Sequence, residues 1–321
     1  MTERAFWLAS PGVGEIRPVE LPERGPDDLL VRTLYSGVSR GTETLVFRGL
    51  VPDNQHDAMR APFQDGDFPA PVKYGYLNVG LVEEGPARFA GRKVFCLYPH
   101  QTRYVVPAQM VHLVPDSVPA ARAVLAGTVE TAVNAVWDAR PRLGDRIAVV
   151  GAGMVGASIA KLLNGYPAAK VQLIDVDQEK AAIAEAFGIG FVTPDRAEGG
   201  CDLVVHASAT EQGLARALEL AAPEGTVLEV SWYGGKPVNV PLGEWFHSRR
   251  LTIKASQVGV VAHPRRDYGT RMATALELLA DPAFDALISD EVAFDDLPEI
   301  MPKLAGGELR ALCLRIGYGS A

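Results

Sequence analysis

Cysteine is scarce in this chain: three among 321 residues, Cys96, Cys201 and Cys313, with no C-x-x-C pair. An odd, scattered set fits a reducing cytoplasm and argues against a disulfide framework. Long apolar runs are missing too. Glycines and charged residues interrupt every candidate before it reaches the roughly 18 residues a membrane-spanning helix requires. Positive charge is in deficit, 31 Lys and Arg against 39 Asp and Glu for a net charge of −8, so neither nucleic acid nor an anionic membrane is expected as a partner. The opening stretch, MTERAFWLASPGVGEIRPVE, lacks the basic start and long apolar core of a secretory signal. There is no internal repeat and no low-complexity segment. A cytoplasmic protein large enough for two domains is the expectation that the composition leaves.

What the chain does have is IAVVGAGMVGASIAKLL from Ile147, an apolar run that ends in Gly151, Gly153 and Gly156 and continues with helical periodicity. This is the G-x-G-x-x-G pattern in the strand–turn–helix context it requires. The first glycine permits a tight turn, the second lets backbone approach a pyrophosphate, and the third lets helix and strand pack closely. Met154 and Val155 then lie at a helix N-terminus, where unpaired N–H groups and the helix dipole favour an anion. A second apolar run, VQLID, ends at Asp175, placed to accept hydrogen bonds from an adenine ribose. A carboxylate there repels a 2′-phosphate, so NAD rather than NADP is the expected cofactor.

The texture changes along the chain. Up to about Pro115 short strands such as DLLVRTLYSGV, LNVGLVEEG and RKVFCLYP are separated by Gly and Pro, the pattern of an irregular β domain. Beyond it, helical stretches (ARAVLAGTVETAVNAVWDA, EKAAIAEAFG, EQGLARALELAA) alternate with strands (IAVVGAG, VQLIDVD, CDLVVHAS, TVLEVSWYG), the signature of a doubly wound parallel sheet in an α/β protein. The segment 226–261 carries further strand-forming residues. A helix at RMATALELLAD and a closing strand at ALCLRIGY follow. The polar, proline-bearing stretch 54–71 reads as a long loop, the kind that is often functional.

The segments GVSRGTE (37–43), KYGYLNVGLVEEG (73–85), ETAVNAV (130–136) and GAGMVG (151–156) together resemble the medium-chain dehydrogenases/reductases. The resemblance implies a GroES-like irregular β-barrel catalytic domain over residues 1–117, a Rossmann NAD-binding domain over 118–262, and a return to the catalytic domain over 263–321. It also implies a substrate cleft between domains and a homodimer built on sheet edges near 226–261. The family's alcohol dehydrogenases hold a catalytic zinc at three positions. In this sequence these read as Ser39 (or Arg40, if GTE is the anchor), Tyr76, and a place near Gly127, with Leu77 where an acid usually stands. Zinc needs N, S or carboxylate donors converging on one point, so a metal-free site is expected; a displaced site at Cys96, His100 and Glu43 is the alternative. Within the family, the GTE segment and the missing ligands look most like the branch that contains the bacteriochlorophyllide 3-hydroxyethyl dehydrogenase.

Without a Lewis acid, hydride chemistry at a carbonyl still needs a group that stabilises or protonates the developing alkoxide. Tyr76 is the leading candidate, with Lys73 expected to lower its pKa; the alternative is that the ring only fills the space of a lost ligand. Thr42 and Glu43 relay a proton or merely cap a helix. His100 shuttles a proton near neutrality or is an ordinary loop residue. Glu130 is catalytic or half of an ion pair, beside Thr131, which the resemblance places at the nicotinamide. His206, Ala207 and Ser208, at the end of CDLVV, are expected to line the dinucleotide cleft. Arg60 in the long loop, Tyr98 and Trp232 are the substrate candidates. The activity expected is zinc-independent hydride transfer between NAD(H) and a hydroxyl/carbonyl pair, with a quinone or enone reductase and a catalytically inactive NAD(H)-binding sensor or scaffold as alternatives.

Overall fold

The structure is a computed structural model that describes residues 2–319. Its first strands are β1 (Glu3–Ser10), β2 (Val13–Val19), β3 (Asp28–Ser39), β4 (Asp65–Gly66), β5 (Val72–Lys73), β6 (Asn78–Glu84), β7 (Lys93–Cys96), β8 (Arg103–Pro107) and β9 (Val111–Leu113). They continue with β10 (Arg146–Val150), β11 (Lys170–Ile174), β12 (Gly190–Val192), β13 (Cys201–His206), β14 (Ala221–Glu229), β15 (Thr252–Ala255), β16 (Ile288–Ala293) and β17 (Cys313–Gly317). The helices are α1 (Arg40–Phe47), α2 (Ala120–Ala123), α3 (Ala126–Ala139), α4 (Met154–Asn164) and α5 (Ala181–Phe187), then α6 (Glu211–Leu220), α7 (Trp245–Ser248), α8 (Tyr268–Leu278) and α9 (Leu297–Gly306). None among the described residues is long and apolar enough to cross a membrane.

The chain divides into two units. The first, residues 2–127, 276–280 and 288–319, is the β-rich one. One of its sheets has the order β2-β1-β5-β4; the other runs β16-β17-β3-β6-β7-β9, with β8 also paired to β3. Strand β3 shows why: its first six residues alternate between half-buried and buried, a period of two that sends Leu29, Val31 and Thr33 inward. Leu29 and Val31 meet Val82, Val94, Tyr104 and Val106 in one apolar cluster. The loop over 54–71 is ordered by aromatic contacts, with Phe63 stacked on Tyr98 and Phe68 tilted against Tyr74.

The second unit, residues 128–275 and 281–287, is the doubly wound one. Its six strands run in the order β12-β11-β10-β13-β14-β15, every pair parallel. Renumbered from β10, this is the 3-2-1-4-5-6 order of a Rossmann sheet, whose ligand site lies beyond the carboxyl ends of the strands where the order reverses, here β10 and β13. Strand β10 is buried from Ile147 to Val150, as expected for a parallel strand covered on both faces. The α/β class anticipated from the alternation of strands and helices is the one found.

The stretch after β15 departs from expectation. LTIKASQVGVV reads as strand, yet pairing stops at Ala255. Side chains take the backbone groups that a ladder would have used. Arg271 donates to the carbonyl of Val258 (2.8 Å), and Asn134 donates to that of Gln257 (3.4 Å) while accepting from the N–H of Ala262 (3.0 Å).

Candidate functional site

The turn between β10 and α4 is built by the absence of side chains. Gly151 has φ +107°, and a Cβ there would lie 2.8 Å from the backbone of Ala207 and Ser208. A Cβ on Gly156 would lie 1.9 Å from the carbonyl oxygen of Gly151, so only glycine lets α4 dock onto the turn. Gly153 differs: a Cβ there would meet nothing within 4 Å. Space is therefore open above the residue that caps α4, where Met154 is buried and Val155 half-buried. That cradle fits a pyrophosphate approaching backbone at a helix N-terminus. Asp175 follows β11, half-buried; its carboxylate accepts the N–H of Ala152 (2.7 Å) and of Asp177 (2.9 Å). Each carboxylate oxygen has a second lone pair, so ribose hydroxyls still find acceptors there.

In the β-rich unit, a polar cluster forms where β3 runs into α1. Glu43 in the first turn of α1 is 4% exposed, and His100 is 1% exposed. The carboxylate accepts the N–H of Ser39 (2.8 Å) and lies 2.9 Å from His100 Nε2; His100 Nδ1 lies 2.8 Å from Ser36 Oγ, itself 2.9 Å from the Tyr318 hydroxyl. Because a carboxylate only accepts, His100 carries its proton on Nε2, and the Ser36 hydroxyl donates to Nδ1. Gly75 (φ +133°) closes over this ring, since a Cβ there would come within 3.0 Å of it. Tyr76 is half-buried beside the cluster. Burial, reinforced by the Glu43 carboxylate and opposed by the Ser39 and Thr42 side chains, pushes its pKa up to about 12. It therefore stays a proton donor at neutral pH.

Lys73 does not support Tyr76. Strand β5 ends at Lys73, whose buried Nζ lies 3.1 Å from Gln101 Oε1 and 3.7 Å from Asp65. Burial lowers the Lys73 pKa, Asp65 opposing, while the pKa of Tyr76 rises rather than falls. Cys96 belongs to the apolar cluster and donates its thiol to the carbonyl of Met110. Burial raises its pKa, and its thiol is engaged by Met110 rather than by His100 or Glu43. Among the described residues no group of three or more His, Cys, Asp or Glu side chains converges to hold a metal ion. A Cβ on Gly127 would lie 2.6 Å from Leu77 Cδ2, so Leu77 fills the space beside position 127.

Of the other sequence candidates, Tyr98 is 8% exposed and sandwiched by Tyr104 (3.9 Å) and Phe63 (5.0 Å), a core position rather than a substrate contact. Arg60 is exposed and paired with Asp67 at 2.9 Å. Trp232 is half-buried just past β14, and Thr131 is half-buried on α3. Glu130 is held by Arg271 at 3.0 Å; burial raises its pKa against the pull of that guanidinium. His206 is fully buried, its Nδ1 2.7 Å from Glu229 and its Nε2 2.7 Å from Ser208 Oγ. It therefore supports the turn from beneath instead of lining a cleft. Ser208, expected in the same cleft, is half-buried with its hydroxyl on His206; Ser36, Glu229 and Tyr318 escaped the sequence reading. The one available signal was a lone glutamate inside the apolar strand TVLEV.

No family model matches the chain. A probable D-xylulose reductase A of Arthroderma otae is 23% identical over 223 residues, covering 64% of this chain and 60% of that protein. The chain thus spans less than two thirds of this curated relative. Among solved structures, a putative zinc-binding dehydrogenase from Sinorhizobium meliloti bound to NADP is similar with a TM-score of 0.80 at 19% identity, over 99% of this chain and 100% of the other. A short chain alcohol dehydrogenase from E. coli in complex with NADH is similar with a TM-score of 0.78 at 15% identity, over 99% and 100%.

The Glu229 contacts have a measurable consequence. Burial works against the carboxylate, but hydrogen bonds from His206 and Ser231 outweigh it and hold the pKa below the usual range. A depressed folded-state pKa adds stability above the unfolded value, near 4.3 for glutamate, and that stability is lost as pH falls through the folded value. Glu229→Gln should cost about 1–3 kcal/mol at pH 7, with the gap to the native protein narrowing below about pH 4. Denaturant melts across pH check this; a pH-independent gap would contradict it.

Proposed function

We propose that this chain, which belongs by fold with the medium-chain dehydrogenases/reductases, is an oxidoreductase transferring a hydride between NAD(H) and a hydroxyl/carbonyl pair of a small organic substrate, without zinc. The observation that carries this is the β10–α4 turn, closed by Gly151 and Gly156 and open only over Gly153. Gly151, Gly153, Met154, Val155 and Gly156 hold the pyrophosphate and Asp175 the adenine ribose, with Ala207 packed against the turn and Thr131 toward the nicotinamide. A bound nicotinamide supplies the chemistry of accepting or delivering a hydride. Asp175, with Asp177 two residues on, supports NAD over NADP through repulsion of a 2′-phosphate, although one similar structure holds NADP.

Tyr76 donates a hydrogen bond to the oxygen that gains charge. With a pKa pushed up to about 12, it acts as a donor, not as a base. The Glu43–His100 pair behind it is the group suited to exchange a proton. The donor set supports zinc independence: Ser39 and Tyr76 offer hydroxyls, and Gly127 offers neither a side chain nor room for one. The relative named as a probable D-xylulose reductase supports a hydroxyl/carbonyl pair over an activated C=C and over a catalytically inactive scaffold. These features agree with the zinc-free branch, and the cytoplasm is the compartment that three buried free cysteines suit.

Strand β15 ends its sheet with Ile253 36% exposed. An unprotected edge of this kind is commonly covered by a symmetry mate, which supports a homodimer. Light scattering at micromolar concentration should give twice the 34.4 kDa of the chain; a monomer would contradict this. Tyr76→Phe keeps the ring and removes only the donor. Once a substrate is found by screening alcohols and ketones, kcat should fall about 100-fold or more while NADH affinity is preserved. A Phe variant with near-native kcat would reduce Tyr76 to packing.

A further inference from the structure

The turn between β13 and α6 carries an arrangement that hydride transfer does not use. Glu229 Oε2 lies 2.7 Å from His206 Nδ1, and His206 Nε2 lies 2.7 Å from Ser208 Oγ. The carboxylate is itself fixed by the N–H of Ser231 (2.8 Å) and the hydroxyl of Tyr233 (3.1 Å). Since it only accepts, the imidazole proton sits on Nδ1, Nε2 presents a lone pair, and the Ser208 hydroxyl donates to it. Ser208 Oγ in turn accepts from Thr210 (2.9 Å), whose oxygen accepts the N–H of Gly213 (3.0 Å). Every hydroxyl direction in the chain is thereby set. This is the constellation of a nucleophilic serine, its general base and an orienting acid, on the same ring nitrogens that such triads use.

Two further observations separate it from an ordinary buried network. Ser208 is half-exposed and sits between the end of a strand and the start of a helix, so a reactant can reach its oxygen. Gly213 lies inside α6, where glycine costs about 1 kcal/mol relative to alanine. A Cβ there would come 2.1 Å from Ser208 Oγ and 2.8 Å from His206 Nε2, so glycine is what leaves room for the cluster. Ser36, His100 and Glu43 in the other unit are the same residue types, but Ser36 is wholly buried and bonded onward to Tyr318. No reactant reaches it.

We propose that Ser208 is a reactive nucleophile, with His206 as general base and Glu229 as the positioning residue. It gives the chain an acyl-transfer activity toward activated carboxylic esters, separate from hydride transfer. Ser208 Oγ forms a bond to the ester carbonyl carbon as its proton passes to His206 Nε2. The carbon–oxygen bond to the leaving group then breaks, and the leaving alcohol takes that proton from His206. Water, deprotonated by the same nitrogen, hydrolyses the acyl-serine and returns the free hydroxyl.

The test uses the full-length protein without nicotinamide, so failure to bind NADH leaves its result intact. A fluorophosphonate probe and p-nitrophenyl acetate are the reagents. Intact-protein and peptide mass spectrometry should find one adduct per chain, on Ser208. Ser208→Ala, at a half-exposed position, should fold and lose the adduct. Glu229→Gln keeps the serine but frees the imidazole tautomer, and should slow labelling about 100-fold or more, with a melt confirming that it is folded. Absence of an adduct on the native protein, equal labelling of Ser208→Ala, or an unchanged rate in folded Glu229→Gln would overturn the proposal.

Discussion

The close approach of backbone to backbone around Gly151 and Gly156 is the constraint on which the nucleotide unit depends. With a hypothetical Cβ at 1.9 Å from the Gly151 carbonyl, position 156 has no alternative residue that keeps α4 against the end of β10. Gly151 in turn lies against Ala207 and Ser208, so one turn sets the spacing of β10, α4 and the β13–α6 connection. Helix α4 therefore starts where its unpaired N–H groups face open space over Gly153. The cofactor reading rests on this packing. Asp175 adds to it by holding the N–H of Ala152 inside the same turn.

Two histidine–glutamate pairs, each with its imidazole buried, show how little residue type alone determines role. His100 gives Nε2 to Glu43 and Nδ1 to a serine with no exposed surface. His206 gives Nδ1 to Glu229 and Nε2 to a serine at the surface of a turn. The chemistry each can perform follows from which ring nitrogen the carboxylate fixes and whether the remaining hydroxyl can be reached. Arg271 and Glu130 form a third buried set, with Asn134 and the carbonyl of Val258 as further partners of the guanidinium. Its work is to hold the segment after β15, and it leaves no free group for catalysis.

What the sequence made legible was local. The glycine turn, Asp175 and the alternation of strands and helices are written within a few dozen contiguous residues, where sterics and periodicity decide the outcome. The partners of titratable groups were not legible. Lys73 is near Tyr76 in sequence, but its ammonium group is taken by Gln101 and Asp65. Tyr98 reads as a polar strand end and packs between two rings in the core. Glu229 meets His206 only because β13 and β14 align in register, and sheet order is a tertiary fact. The strand expected beyond Ala255 failed for the same reason, since distant side chains satisfied its backbone groups first.

The account turns on a dinucleotide lying over Gly153 with its ribose at Asp175. Titration of NADH and NADPH into the native protein and into Gly153→Val, followed by nicotinamide fluorescence or calorimetry, tests this most directly. A Cβ at this position meets nothing within 4 Å, so the variant should melt close to the native temperature, yet its side chain blocks the approach of a pyrophosphate to backbone. NADH should bind tighter than NADPH by about tenfold or more in the native protein, a difference of about 1.4 kcal/mol. A similar or larger loss of NADH affinity is expected in the folded variant. Equal affinities for the two cofactors, or a folded Gly153→Val that binds NADH as the native protein does, would contradict it.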